Sequence, residues 1–282
     1  MSDRRSRTVA VDLDARGRGF GGDDRAVSDV VGYILVFSLI TITIGTVFAV
    51  GITGVEDRRE AERVANVERA FDVFDDNLRD IQRYGDPSRA TEIRLAGGTL
   101  ATSGETRFAL VNSTDPAVAA NATDGSSIET NSLVYRDGET TIAYEAGALV
   151  RGDGDGSVLL SGPRFVAADG RTTIPIIGLE SGSDDSVSGD GTVQVTVAVP
   201  EKYRGRYERS PDSSETTVFT PSSDETYLHV ETDHPEAWRE YFARPNGFDP
   251  IDVDADGVAV ARLREDEEIY VHDIKRDVFL RR

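Results

Sequence analysis

Metal binding, nucleophilic attack and glycan attachment are the chemistries that short stretches of this chain raise. Asp252-Val253-Asp254-Ala255-Asp256-Gly257 reproduces the first half of an EF-hand loop, where alternating carboxylates supply oxygen ligands and a glycine permits the sharp turn. Such a loop ends on a bidentate Glu, and the corresponding position here is Leu263. The flanks read as strands, so an Asp-Gly turn is favoured. No metal is expected, with Asp252, Asp254 and Asp256 kept as the candidate carboxylates; a looser calcium or magnesium site there or in Gly152–Gly156 stays open. The three histidines, His229, His234 and His272, show no metal-ligand spacing, and the chain has no cysteine for a thiolate ligand, a disulfide or a Cys nucleophile. No Gly-x-Ser-x-Gly elbow or phosphate-cradling glycine loop is present. These absences point to a non-enzymatic protein without a cofactor. Two sequons, Asn112-Ser113-Thr114 and Asn121-Ala122-Thr123, make Asn112 and Asn121 candidate N-glycosylation positions if that region lies outside the cell.

The elements that would carry these residues follow from periodicity. Val64, Val67, Phe71, Phe74, Leu78 and Ile81 alternate steps of three and four, an amphipathic helix that Gly85-Asp86-Pro87 would stop. This stripe suits either a coiled-coil seam between subunits or a helix lying on its own domain; its shortness favours the second. Beyond it, short strands are expected at Glu92–Leu95, Arg107–Val111, Ser157–Leu160, Thr173–Ile177, Thr192–Val199, Thr216–Phe219, Thr226–Val230, Val258–Leu263 and Ile269–Ile274. A hairpin, Leu133–Arg136 with Thr141–Tyr144, turns on Asp137-Gly138. Gly152–Gly156 and Ser181–Gly191 read as loops. One helix interrupts the strands. Asp233 would cap it, Glu236 would complete a capping box, and Trp238, Tyr241 and Phe242 would form its apolar face, packed on a sheet in preference to serving as a ligand platform.

Val30 to Val55 contains no charged residue, and 26 residues of helix reach about 39 Å, enough to cross a bilayer core of about 30 Å. Charges crowd both ends. The leader ahead of it carries six Arg against five acids, which by the positive-inside rule favours an N-terminus on the cytoplasmic side. The whole chain has a net charge of -20 with only two lysines, Lys202 and Lys275. An acidic, Lys-poor surface stays hydrated where salt screens repulsion, so a high-salt habitat is the first reading, and nucleic-acid binding is disfavoured for want of clustered cations.

The junction Asp23-Asp24-Arg25-Ala26-Val27-Ser28-Asp29-Val30-Val31-Gly32 resembles the class III, prepilin-type signal of archaeal type IV pilins and archaellins, particularly the N-terminal segment of pilin-like proteins from halophilic archaea. The stretch from Arg58 to Leu95, with Asn66-Val67-Glu68-Arg69-Ala70-Phe71, is similar to haloarchaeal pilin-like proteins of unassigned role. The resemblance implies that prepilin peptidase cuts between Ala26 and Val27, with Arg25 at the charged position. It also implies that the apolar segment is retained and packs with other pilin-type subunits. Many haloarchaeal pilins carry Ser-Pro where this chain has Ser28-Asp29, and bacterial pilins carry Glu where it has Val31. Asp29 could pair with the freed amine of Val27 in a neighbouring subunit; capping of the helix by Ser28 and Asp29 is the simpler role.

The fold class expected is α+β: a long N-terminal transmembrane and amphipathic helix followed by an antiparallel β-rich domain with one short helix. Its parts are a cytoplasmic leader (1–26), a transmembrane helix (27–55), an amphipathic helix (56–85) and an extracytoplasmic β-rich domain (86–282). The leading function is a single-pass, pilin-like structural or adhesive subunit of the cell surface. A singly anchored binding protein outside any filament is the alternative. A membrane-tethered enzyme is third, and would require a polar constellation converging in one cleft.

Overall fold

The computed structural model describes residues 24–84, 86–116, 126–154, 156–182, 186–200, 214–219, 225–263 and 268–282. The chain divides into two compact units, Met1–Arg59 and Glu60–Arg282. One helix, α1 (Asp24–Tyr84), contributes to both. It begins before the expected leader boundary, so Asp24, Arg25 and Ala26 are helical, and the rest of the leader lies outside the described residues. In the first unit the apolar window of α1 has a mean hydropathy of 2.3 and no buried residue, so the chain holds a helix long and apolar enough to span a membrane. Three threonine hydroxyls are satisfied within the helix: Thr41, Thr43 and Thr46 each donate to the carbonyl four residues back, at 2.7–2.8 Å.

The second unit is β-rich. Its strands are β1 (Ser88–Asn112), β2 (Ser126–Asp137), β3 (Thr140–Glu145), β4 (Ala148–Asp153), β5 (Gly156–Ser161), β6 (Val166–Ala168), β7 (Arg171–Ser181), β8 (Ser186–Ala198), β9 (Ser214–Phe219), β10 (Thr226–Glu231), β11 (Asp249–Ile251), β12 (Val258–Leu263) and β13 (Glu268–Arg281). A short helix, α2 (Pro235–Ala243), lies between β10 and β11. Every pairing among the described residues is antiparallel except β7 with β13. The pairings β1–β8–β13–β7–β2–β1 return to their start. The seam of this ring is the single pair Asn131–Leu179, where Thr130 Oγ1 accepts from the Leu179 amide at 2.7 Å.

Several expectations need correction. The strands expected at Glu92–Leu95 and Arg107–Val111 are parts of one 25-residue strand, β1, which keeps its pairing through irregularities at Ala96/Thr99 and Ser103/Glu105. Gly97 and Gly104 take φ of +116° and +80° there, conformations that only glycine adopts without strain. Of the supposed loop Gly152–Gly156, Gly152 and Asp153 end β4 and Gly156 opens β5, with the two strands paired, and the described residues of Ser181–Gly191 belong to β7 and β8 except Gly182. Polar, Gly-rich composition misleads in both places because ladder pairing with a neighbour outweighs local propensity. The β2–β3 hairpin turns where expected, but Gly138 (φ +59°) is the first central residue of a two-residue turn, with Glu139 second.

Strand alternation sends side chains to two cores. From β2, Leu133 and Tyr135 join one and Val134 the other; from β3, Ile142 and Tyr144 join the first and Ala143 the second. The first core receives Val67, Phe71, Phe74, Leu78 and Ile81 of α1, all essentially unexposed. The heptad stripe therefore packs on its own domain, leaving no seam for a second copy along those residues. Polar contacts at the margins fix the register: Glu68 with Arg151 (3.1 Å), Asn77 with Thr91 (2.8 Å), and Arg89 with Asp80 (2.9 Å) and Asp86 (2.7 Å). Asp75 sits among the buried residues, ion-paired to Arg79, and its other oxygen has no hydrogen-bond partner among the described residues. Burial lifts its carboxyl to about 7 despite the guanidinium.

Because the folded value lies above the ordinary 3.8, Asp75 favours folding only while protonated, and that contribution is lost as pH rises from about 4 through 7. Asp75→Asn is therefore expected to stabilise the domain by on the order of 2–4 kcal/mol at pH 8 and to change little at pH 4. Urea denaturation at the two pH values measures this.

Candidate functional site

Glu145 ends β3 and is 2% exposed. It precedes a two-residue turn, Ala146 (φ +48°) and Gly147 (φ +104°), that folds β4 back along β3. A carboxylate this deep costs several kcal/mol unless donors surround it. One short segment provides them. Trp238 Nε1 and Thr232 Oγ1 each donate to Oε2 at 2.8 Å, and His234 Nδ1 lies 2.6 Å from Oε1. The other imidazole nitrogen, Nε2, is 3.1 Å from Thr141 Oγ1 on β3, and that hydroxyl also reaches the Gly152 carbonyl at 3.4 Å. Gly152 is required by this approach: a Cβ there would lie 2.4 Å from Thr141 Oγ1 and 3.1 Å from His234 Nε2.

The same contacts explain how α2 starts. His234, not Asp233, is the N-cap, and its ring turns to Glu145 instead of capping. Ser157 of β5 takes that role from across the fold, accepting from the Ala237 amide at 3.1 Å and donating to Glu236 at 3.2 Å. The expected capping box therefore does not form. The aromatic face does: Trp238 and Phe242 are fully buried and Tyr241 nearly so, with Trp238 edge-on to Phe108 at 5.4 Å. Ala143, Ala146 and Ala148 share that core, their small side chains leaving the volume that the indole fills.

A cleft of about 390 Å³ opens over this network. Thr141, Glu145, Gly152 and His234 line it, with Ser132 and Thr106, themselves 3.1 Å apart, on one wall. Exposed Glu105, Glu139, Asp233 and Glu236 give it an acidic rim, and Arg136 brings a cation. Burial opposes charging His234, but its hydrogen bond to Glu145 and the negative charges of Glu145 and Asp233 outweigh that, and its pKa is raised. His229 differs. Burial alone pushes it down to about 4, and neither ring nitrogen has a hydrogen-bond partner among the described residues.

Of the residues singled out from sequence, His234 and the glycines Gly152, Gly154 and Gly156 line this cleft, and the processing, glycosylation and Asp-Gly candidates lie elsewhere. Arg25, Ala26 and Val27 fall in the first turn of α1, and Asp29 is exposed on it. Asn112 ends β1 half-buried, its Oδ1 accepting from Thr226 Oγ1 at 2.7 Å; Asn121 lies outside the described residues. Asp252, Asp254 and Asp256 are exposed on the connection between β11 and β12, and Asp256-Gly257 forms a turn leading into β12. No three His, Asp or Glu side chains among the described residues converge as a metal site would require. Thr141 and Glu145 went unnoticed as functional candidates because 89 residues separate Glu145 from His234. The one available signal was a lone charge inside the apolar run Ile142–Val150.

Replacing Trp238 by Phe keeps most of the packing but strips Glu145 of a donor. The expected loss is about 1–3 kcal/mol of folding stability, read from a shift in the denaturation midpoint.

Compared with known proteins, the chain is 30% identical over 76 residues to an uncharacterized protein of Archaeoglobus fulgidus, covering 27% of this chain and 25% of the relative. The chain thus spans about a quarter of that relative's length. No solved structure matches. A family match runs from Arg25 to Val278, taking in the apolar helix and nearly all of the β-rich domain; the chain belongs to DUF7289, a family of unknown function.

Proposed function

We propose that this is a type IV pilin-like, single-pass membrane protein of the cell surface: a minor pilin or pilin-like structural or adhesive subunit. Prepilin peptidase removes the leader between Ala26 and Val27, the N-terminus lies in the cytoplasm, and the β-rich domain faces the medium. The observation that carries the reading is the first half of α1. Sixteen large apolar side chains between Val30 and Val55 are exposed, among them Tyr33, Phe37 and Phe48. At roughly 1–2 kcal/mol each, leaving them in water would cost on the order of 20 kcal/mol, so the segment belongs in lipid or among other apolar helices. The resemblance of the junction around Arg25-Ala26-Val27 to a prepilin-type signal supports pilin processing in particular. A second reading, a singly anchored binding protein outside any filament, is favoured by the polar cleft beside Glu145, a feature that a purely structural subunit does not need.

N-terminal sequencing of the membrane-associated protein from its host, with and without active prepilin peptidase, separates the outcomes. A mature chain starting at Val27 only when the peptidase is active is expected, with co-purification alongside surface filaments. An intact leader under both conditions rules out pilin processing, and Val27 processing without any filament association favours the binding protein.

A further inference from the structure

We propose that the cleft is a hydrolytic site for acyl esters, in which Thr141 is the nucleophile, His234 the general base and Glu145 the group that orients the imidazole. This rests on the geometry of the β-rich unit and is independent of the pilin reading. A nucleophile–base–carboxylate relay needs a hydroxyl within reach of one imidazole nitrogen and a carboxylate on the other. Here those distances are 3.1 Å (Thr141 Oγ1 to His234 Nε2) and 2.6 Å (His234 Nδ1 to Glu145 Oε1). Glu145, held by Trp238 and Thr232, fixes the tautomer that carries its proton on Nδ1 and leaves Nε2 free to accept. Thr141 is only part-buried and lines the cleft, so a bound acyl group can reach its hydroxyl. At Gly152 φ is ordinary, so its missing side chain serves the close approach and not the backbone conformation. A scaffold needing only to pin α2 could have ended the chain of hydrogen bonds at Glu145; here it continues outward to a hydroxyl facing the cleft.

The reaction balances as ester plus water giving carboxylic acid plus alcohol. Thr141 Oγ1 bonds to the acyl carbon as its proton passes to His234 Nε2 and the carbonyl π pair moves onto oxygen, where Arg136 is the cation lining the cleft. Collapse breaks the carbon–alkoxide bond, and the leaving alcohol takes the proton from Nε2. Water then attacks the acyl-threonine ester, giving a proton to Nε2, and Thr141 Oγ1 departs and takes that proton back. The acidic rim repels anions, which selects neutral or cationic esters. With His234 charged, Thr141 donates to the Gly152 carbonyl instead. The rate therefore rises with pH as His234 deprotonates, its midpoint above the ordinary histidine value.

The test uses the full chain in detergent micelles with p-nitrophenyl acetate and p-nitrophenyl butyrate. Release of p-nitrophenol above the protein-free rate is expected, with a transient acyl adduct on the peptide carrying Thr141. Thr141→Val, which keeps the side-chain shape, should lower the rate by about 10²-fold or more, and Thr141→Ser should retain it. Glu145→Gln removes the charge that raises His234, so the acid limb of the pH–rate profile should move to lower pH, a shift that a structural role would not produce; if that variant does not fold, His234→Gln should abolish turnover. The proposal is overturned if the folded protein turns over neither ester and carries no adduct, if the adduct lies elsewhere, or if Thr141→Val matches the wild type. In each case the three residues are a hydrogen-bonded scaffold.

Discussion

A carboxylate placed in a dry core must be surrounded by donors, and in this fold the position of Glu145 decides where much else goes. Its partners come from Thr232, His234 and Trp238, a stretch that spans the end of β10, the cap of α2 and its first turn. Meeting that demand ties α2 to the end of β3, turns the His234 ring away from a capping role, and leaves Ser157 to satisfy the Ala237 amide. The cleft is the open side of this arrangement. Losing the donor from Thr232 or Trp238 would cost about 1–3 kcal/mol each, because the buried carboxylate has no water to replace it.

The other constraint is the double use of α1. Toward its N-terminal end the helix carries apolar residues on every face, none of them buried among the described residues. From Val67 onward it carries a narrow apolar stripe that the sheet covers completely, while Glu68, Asn77 and Asp80 reach charged or polar partners at the margins. Asp75 is the exception on that buried side. Its burial favours the neutral form, and the Tyr144 hydroxyl, which feels the Asp75 charge, has no hydrogen-bond partner among the described residues.

What could be read in the sequence was whatever rests on local pattern. The uncharged run Val30–Val55, the stripe ending at Ile81, the Asp137-Gly138 hairpin and the aromatic face of α2 all depend on residues a few positions apart, and each has its structural counterpart. The failures are long-range. Asp233 looked like a cap because nothing local shows that His234 would be claimed by a carboxylate 89 residues away. Gly152 looked like loop because the reason for a glycine there, the Thr141 hydroxyl and His234 ring lying against it, exists only once β3, β4 and α2 are assembled. The parallel β7–β13 pairing is likewise invisible to a reading built on hairpins.

The central claim is that Glu145 holds His234 with a proton on Nδ1 and a raised affinity for a second proton. Nitrogen-15 NMR of ring-labelled protein across a pH titration tests it most directly, since His229 and His272 can be assigned by substitution. The account predicts that His234 titrates above the ordinary value of about 6.5 and that its neutral form is the Nδ1–H tautomer. A midpoint below that value, or a neutral form protonated on Nε2, would contradict it.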